Sequence, residues 1–112
     1  MPETLAARYE REIARIVEQL RARFAPERIL LFGSAARGEL REGSDIDLIV
    51  VVRTEQRWLD RTTAARAALD TDLPVDVVVL TPQEFAERSG PGHPSFRAML
   101  AGAKVVYDVH AA

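Results

Sequence analysis

Three short stretches carry residues whose types and spacing suit chemistry on phosphates: Gly33-Ser34, Asp45-Ile46-Asp47, and Asp76 inside Val75-Asp76-Val77-Val78-Val79-Leu80. The first is a glycine and a hydroxyl at the end of an apolar run. If a helix starts there, free backbone N–H groups and the helix dipole favour a negative group, and glycine lets a phosphate approach the backbone closely. Arg37 follows one helical turn later, within reach of a phosphate as a bidentate clamp. The second stretch places two carboxylates two residues apart. On a strand such residues share a face, where they repel each other unless a dication sits between them. Magnesium is the natural ion, because it takes a few carboxylate oxygens together with phosphate oxygens from a substrate. The third is a carboxylate one residue inside a strongly apolar strand, where an unpaired charge is costly.

Each stretch alone has an ordinary explanation. Gly-Ser pairs are common, the GxxxxGK[ST] phosphate loop is absent, a lone DxD is usually a solvated strand end, and Asp76 could sit at the wet end of its strand. The spacing separates the readings. Ten residues lie between Ser34 and Asp45, and at ordinary residue frequencies GS-x10-DxD arises by chance in roughly one sequence of this length in 500–1,000. The combination with a preceding strand and a following buried-strand aspartate is rarer still.

The elements that must hold these residues follow from the hydrophobic pattern. Leu5, Tyr9, Ile13, Ile16, Val17, Leu20 and Phe24 recur at helical spacing, which predicts a helix over residues 3–24, stopped by Pro26. Residues 28–32 read as a buried strand, residues 34–38 as a short helical turn, and residues 45–52 as a strand buried on both faces towards its end. A second helix is expected over residues 57–70 with Trp58, Ala65 and Leu69 inward. A third strand is expected over residues 75–80. Thr81-Pro82-Gln83-Glu84 has the form of a capping box with proline at the first helical position, opening a helix that ends near Gly90. A short helix over residues 95–101 and a last strand over residues 105–107 complete the order. Alternating helices and strands place the chain in the α/β class, built around a small mixed sheet flanked by helices.

Composition narrows the function classes. The 112 residues suit one domain, 1–112, with 47% hydrophobic and 29% charged residues. A net charge of -2 argues against dedicated nucleic-acid binding. The absence of cysteine excludes disulfides and thiolate chemistry. No apolar run approaches the roughly 20 residues of a membrane span, and the N-terminus lacks the apolar stretch of a signal peptide, so the expected location is the cytoplasm. His93 and His110 are read as loop and tail residues without a catalytic role. Tyr9 and Tyr107 are read as packing residues, and Arg41, Arg53 and Arg57 as solvated surface.

Taken together, Leu31-Phe32-Gly33-Ser34-Ala35-Ala36-Arg37-Gly38, Ser44-Asp45-Ile46-Asp47-Leu48 and Val75-Asp76-Val77-Val78 closely resemble the minimal nucleotidyltransferases of the DNA polymerase beta superfamily. More narrowly they resemble the MNT antitoxins encoded beside HEPN-domain toxins. The resemblance runs from about residue 10 to Tyr107, and all three acidic positions are filled. It implies a polymerase-beta-like fold, ATP as substrate, two magnesium ions and a HEPN toxin as partner. It also implies roles. Gly33 and Ser34 hold the β and γ phosphates, Asp45 and Asp47 bind both ions, and Asp76 binds the ion that carries the acceptor oxygen. The expected reaction moves AMP from ATP to an acceptor hydroxyl, a tyrosine of the HEPN toxin, making the chain an adenylylating antitoxin. The alternatives are a catalytic subunit that modifies a small molecule and a non-catalytic antitoxin that masks its partner.

Overall fold

The computed structural model describes residues 2–111. Its first element, α1 (Leu5–Phe24), begins where the Thr4 hydroxyl accepts the Ala7 N–H at 3.1 Å, and it ends at Ala25, whose left-handed conformation returns its N–H to the Arg21 carbonyl. The Thr4 cap explains why the helix opens two residues later than the hydrophobic spacing indicates. Tyr9, Ile16 and Leu20 are buried on its inward stripe and Leu5, Ile13, Val17 and Phe24 pack at the margins. Glu12 is also buried there, its carboxylate held by Arg15 at 2.8 Å.

The strands are β1 (Arg28–Phe32), β2 (Ile46–Val51), β3 (Val75–Leu80) and β4 (Lys104–Asp108), in the spatial order β3-β2-β1-β4. β1 runs antiparallel to β2 and to β4, whereas β2 and β3 are parallel. The parallel pair requires a crossover, which α3 (Trp58–Ala68) provides. The mixed α/β sheet expected from the pattern is therefore present, with each strand within two residues of its expected bounds. The remaining helices are α2 (Ser34–Arg37), α4 (Pro82–Arg88) and α5 (Pro94–Ala101). None of the helices among the described residues is long and apolar enough to cross a membrane.

Side-chain alternation gives the sheet two apolar faces. On the first, Ile29, Leu31, Ile46, Leu48, Val50 and Val79 meet Tyr9, Ile16 and Leu20 of α1 and Ala65 of α3. On the second, Leu30, Ile49, Val51 and Leu80 are covered by Phe85 of α4 and by Phe96, Met99 and Leu100 of α5. Phe85 and Phe96 meet edge to face with centroids 6.1 Å apart. Central strand β2 is thus apolar on both sides except near its start.

Trp58 departs from its expected inward position. It is 40% exposed, at the first residue of α3, with the Arg88 guanidinium 5.3 Å from its ring centre. The inward positions of α3 go to Ala64, Ala65 and Arg61. Arg61 is tolerated because it finds acceptors in the Gln56 carbonyl at 2.9 Å and the Glu84 carboxylate at 2.7 Å. Glu84 also accepts the Thr81 N–H at 2.7 Å and returns its own N–H to the Thr81 hydroxyl, completing the expected capping box. One carboxylate therefore caps α4 and ties it to α3. Burial pushes the Glu84 carboxyl up, but the Thr81 N–H and Arg61 outweigh it and hold the group below its ordinary value.

A depressed carboxyl stabilises the fold above its unfolded pKa, and that contribution is lost as pH falls through the folded value. Arg61→Leu is expected to cost about 2–3 kcal/mol, the scale of charged hydrogen bonds lost from a shielded site. Urea unfolding at neutral and acid pH checks both points: the variant should lose stability at pH 7, and its deficit should shrink as Glu84 protonates.

Candidate functional site

The chain leaves β1 at Phe32 and turns at Gly33, whose φ of 76° and ψ of -159° fall in a region that side-chain-bearing residues rarely enter. Ser34 then opens α2, which closes at Gly38, itself left-handed at φ 73°. The Gly33 carbonyl accepts from Ala36 and Arg37 at 3.1 and 3.2 Å. The first N–H groups of this turn have no intrahelical acceptor, and no side chain caps them. A Cβ added at Gly33 would stand 2.5 Å from Oδ2 of Asp47. The glycine is thus needed twice, for its backbone angles and for the room that the Asp47 carboxylate occupies.

Asp47 is the second residue of β2, opposite Phe32 of β1 and in register with Asp76 of β3. Directly paired residues project to the same face. That face is the second one: Asp47, Ile49 and Val51 alternate along β2, and Asp76, Val78 and Leu80 along β3. The later two of each set lie in the apolar cluster beneath α4 and α5, while the aspartates occupy the other end. Asp45 lies one residue before β2 and is exposed, as is Asp76, whereas Asp47 is half-buried. Burial raises the Asp47 carboxyl above its ordinary value, and the negative charges of Asp45 and Asp76 raise it further. The three carboxylates therefore share one electrostatic field, which a dication would relieve.

The donor set fits a hard cation, being carboxylate oxygen throughout. Among the described residues no three His, Cys, Asp or Glu side chains form a ready-made metal cage. Magnesium commonly takes one or two carboxylates and completes its shell with water and phosphate oxygens, and the acidic face has the donors for part of such a shell.

The other residues singled out by sequence fall elsewhere. Arg37 is exposed and pairs with Glu39 at 3.3 Å, its stem near Gly102; no hydrogen bond or ion pair joins it to the aspartates among the described residues. His93 lines a cavity of about 390 Å3 with Glu84, Glu87, Arg88 and Phe96. A second cavity, of about 580 Å3, is lined by Arg53, Thr54, Glu55, Thr81, Pro82 and Gln83 at the far ends of β2 and β3. It contains none of the aspartates.

Sequence reasoning missed the residues that fix the approach to Asp45. Tyr9, read as packing, is 1% exposed and donates its hydroxyl to the Ser44 carbonyl at 2.7 Å. Its position in an apolar stripe held the signal, since a buried tyrosine hydroxyl needs a partner. Ile46 N–H donates to the Pro74 carbonyl at 2.9 Å, fastening the start of β2 to the entry of β3.

Comparison with known proteins agrees with this architecture. A family model described as a nucleotidyltransferase domain matches residues 11–99. Among solved structures, one from Sulfolobus solfataricus assigned as a nucleotidyltransferase superposes with a TM-score of 0.63 at 24% identity, covering 97% of this chain and 93% of that one. A toxin–antitoxin structure with AMP-PNP gives a TM-score of 0.58 at 22% identity, covering 87% and 73%. The spectinomycin adenyltransferase AAD(9) from Enterococcus faecialis, with ATP and spectinomycin, gives 0.52 at 16% identity; 92% of this chain spans 57% of that one. No curated protein matches the chain.

Two stability measurements test the geometry. Gly33→Ala should cost about 1–3 kcal/mol from backbone strain alone, with the clash against Asp47 in addition; a thermal midpoint equal to the native one would contradict the close approach. Asp47 carries the opposite sign from Glu84. Its raised carboxyl favours the fold when protonated, and that contribution is lost as pH rises through the folded value. Metal-free Asp47→Asn should accordingly melt above the native protein at neutral pH, with the gap narrowing on acidification.

Proposed function

The chain belongs to the nucleotidyltransferase domain family, and from that premise we propose that it transfers AMP from ATP to an acceptor hydroxyl, with Asp45, Asp47 and Asp76 as its magnesium ligands. The observation that carries the proposal is the Asp47–Asp76 register beside the Gly33 turn. It unites on one surface a turn suited to phosphate and carboxylates suited to the ions that accompany phosphate.

In this reading Gly33 and Ser34 receive the outer phosphates of the nucleotide through the open N–H groups of the turn and the serine hydroxyl. Arg37 lies at the end of the same turn, where releasing Glu39 frees its guanidinium for phosphate. Asp45 and Asp47 would hold the two ions, with Asp76 as a further ligand that would also take the acceptor's proton. Magnesium, when bound, neutralises charge on the phosphates and on the attacking oxygen. The chain's contribution is alignment: the attacking hydroxyl enters opposite the pyrophosphate, which leaves as the new phosphoester bond forms.

For the acceptor we propose a tyrosine of a HEPN-domain toxin, with the chain acting as its antitoxin. The resemblance to MNT antitoxins supports this, and the fold shared with a toxin–antitoxin structure gives the reason to test a toxin first.

Asp45→Asn and Asp47→Asn should remain folded and lose transfer, since each removes a ligand charge. Ser34→Ala should weaken binding of a non-hydrolysable ATP analogue by about 1–3 kcal/mol, the cost of one charged hydrogen bond, as calorimetry reports. Asp76→Asn should keep most of that affinity while losing turnover. Incubation with the partner toxin, ATP and magnesium should add AMP to the toxin, read by intact mass spectrometry, and the adduct should vanish with Asp45→Asn. Neutralisation of the toxin without any adduct, undiminished in the aspartate variants, would establish masking in place of modification.

A further inference from the structure

Asp45 is exposed, lies outside β2, and its side chain makes no hydrogen bond among the described residues. Its position therefore rests on the peptide groups at either side. The following group is anchored by the Ile46 N–H on the Pro74 carbonyl. The preceding one is the Ser44 carbonyl, which accepts the Tyr9 hydroxyl at 2.7 Å. Ser44 also closes the turn before it: its hydroxyl accepts the Arg41 N–H at 2.8 Å and its own N–H donates to the Arg41 carbonyl at 3.0 Å.

The same stretch of α1 holds the matching loop ahead of Asp76. The Arg8 guanidinium bridges Glu42 at 3.5 Å, in the turn before Asp45, and Asp72 at 3.4 Å, in the loop before β3. About two turns further along, the Arg15 guanidinium donates to the Asp70 carbonyl at 2.8 Å. The Gln19 amide exchanges two hydrogen bonds with the Asp70 backbone. The exposed Arg8 pairs contribute little alone. The Tyr9 bond is different, because its donor is shielded and its ring is locked in the core.

We propose that Tyr9 is a positioning residue for the metal-binding face, its hydroxyl fixing the Ser44 carbonyl and through it the Asp45 carboxylate. This rests on the reading of Asp45 as a metal ligand. Tyr9 touches neither substrate nor ion; it acts through one peptide group. The ring and the hydroxyl have separable tasks: the ring fills the core between α1 and the sheet, and the hydroxyl sets the loop.

Tyr9→Phe keeps the ring and removes the hydroxyl. In the full metal-free chain, hydrogen exchange of the amides at residues 42–46 should accelerate about three- to tenfold, the scale of one hydrogen bond, with exchange in β1 and α3 unchanged. Titration with Mn2+ in the presence of a non-hydrolysable ATP analogue, followed by paramagnetic resonance, should show affinity lowered by a similar factor. Ser44→Ala loosens the same turn without touching α1 and should reproduce both effects; Tyr107→Phe, on β4, should reproduce neither. Native exchange and Mn2+ affinity in Tyr9→Phe would overturn the inference while leaving the site reading intact. Affinity lost only together with faster exchange across the whole chain would also overturn it, since that marks general destabilisation. Failure of the native chain to bind Mn2+ with the nucleotide would overturn the site reading and this inference with it.

Discussion

The space between Gly33 and Asp47 constrains the acidic end of the molecule. An added Cβ would stand 2.5 Å from the carboxylate, so no side chain fits between backbone and acid. That contact links the chain reversal after β1 to the register of β2: sliding β2 by one residue against β1 would put Ile46 or Leu48 opposite Phe32 and turn the aspartate to the other face. The core on the first face, where Ile46, Leu48 and Val50 are all fully buried, resists such a slip. Apolar packing on one side of β2 thereby holds the acid in place on the other.

Clustering three carboxylates opposes folding in the absence of a cation. The raised Asp47 carboxyl is the direct sign of it, with burial the larger cause and the two like charges the smaller. The strain is confined to one end of the sheet. At the other end Leu30, Ile49, Val51 and Leu80 of the second face lie beneath two aromatic rings, the Arg28 guanidinium stacks on Phe85, and the Arg61–Glu84–Thr81 network joins α3 to α4. Packing and paired charges at that end offset the repulsion among the acids at the other.

Much of this was legible in the residues. Alternating helix and strand signals, the apolar stripe of α1 and the Thr81–Glu84 capping box lead directly to the observed elements, because each is a local pattern. What sequence could not supply was pairing. The parallel alignment of Asp47 with Asp76 is a tertiary fact, and it is what turns a DxD and a distant aspartate into one cluster. Trp58 misled because helical spacing marks a face without saying which of its residues turns inward; in the first turn of α3 Arg61 takes that place, through partners 5 and 23 residues away. Tyr9 was visible as a core residue, but the acceptor of its hydroxyl lies 35 residues along the chain.

The mixed direction of the strands explains why these groups meet. The Gly33 turn follows the C-terminal end of β1, while Asp47 and Asp76 sit at the N-terminal ends of β2 and β3. A turn after one strand and an acid at the start of the next share an edge of the sheet only if those strands are antiparallel, as β1 and β2 are. Two acids at strand starts share that edge only if their strands are parallel, as β2 and β3 are. An all-parallel sheet would carry the turn to the far end, and an all-antiparallel one would remove Asp76. The thirteen residues between Phe32 and Ile46 form α2 and a turn, and return the chain beside β1 in an antiparallel step. The longer segment from β2 to β3 accommodates α3 and the parallel one. The spacing that marks the chemistry in the sequence thus spans the antiparallel step that brings the Gly33 turn and Asp47 to one edge.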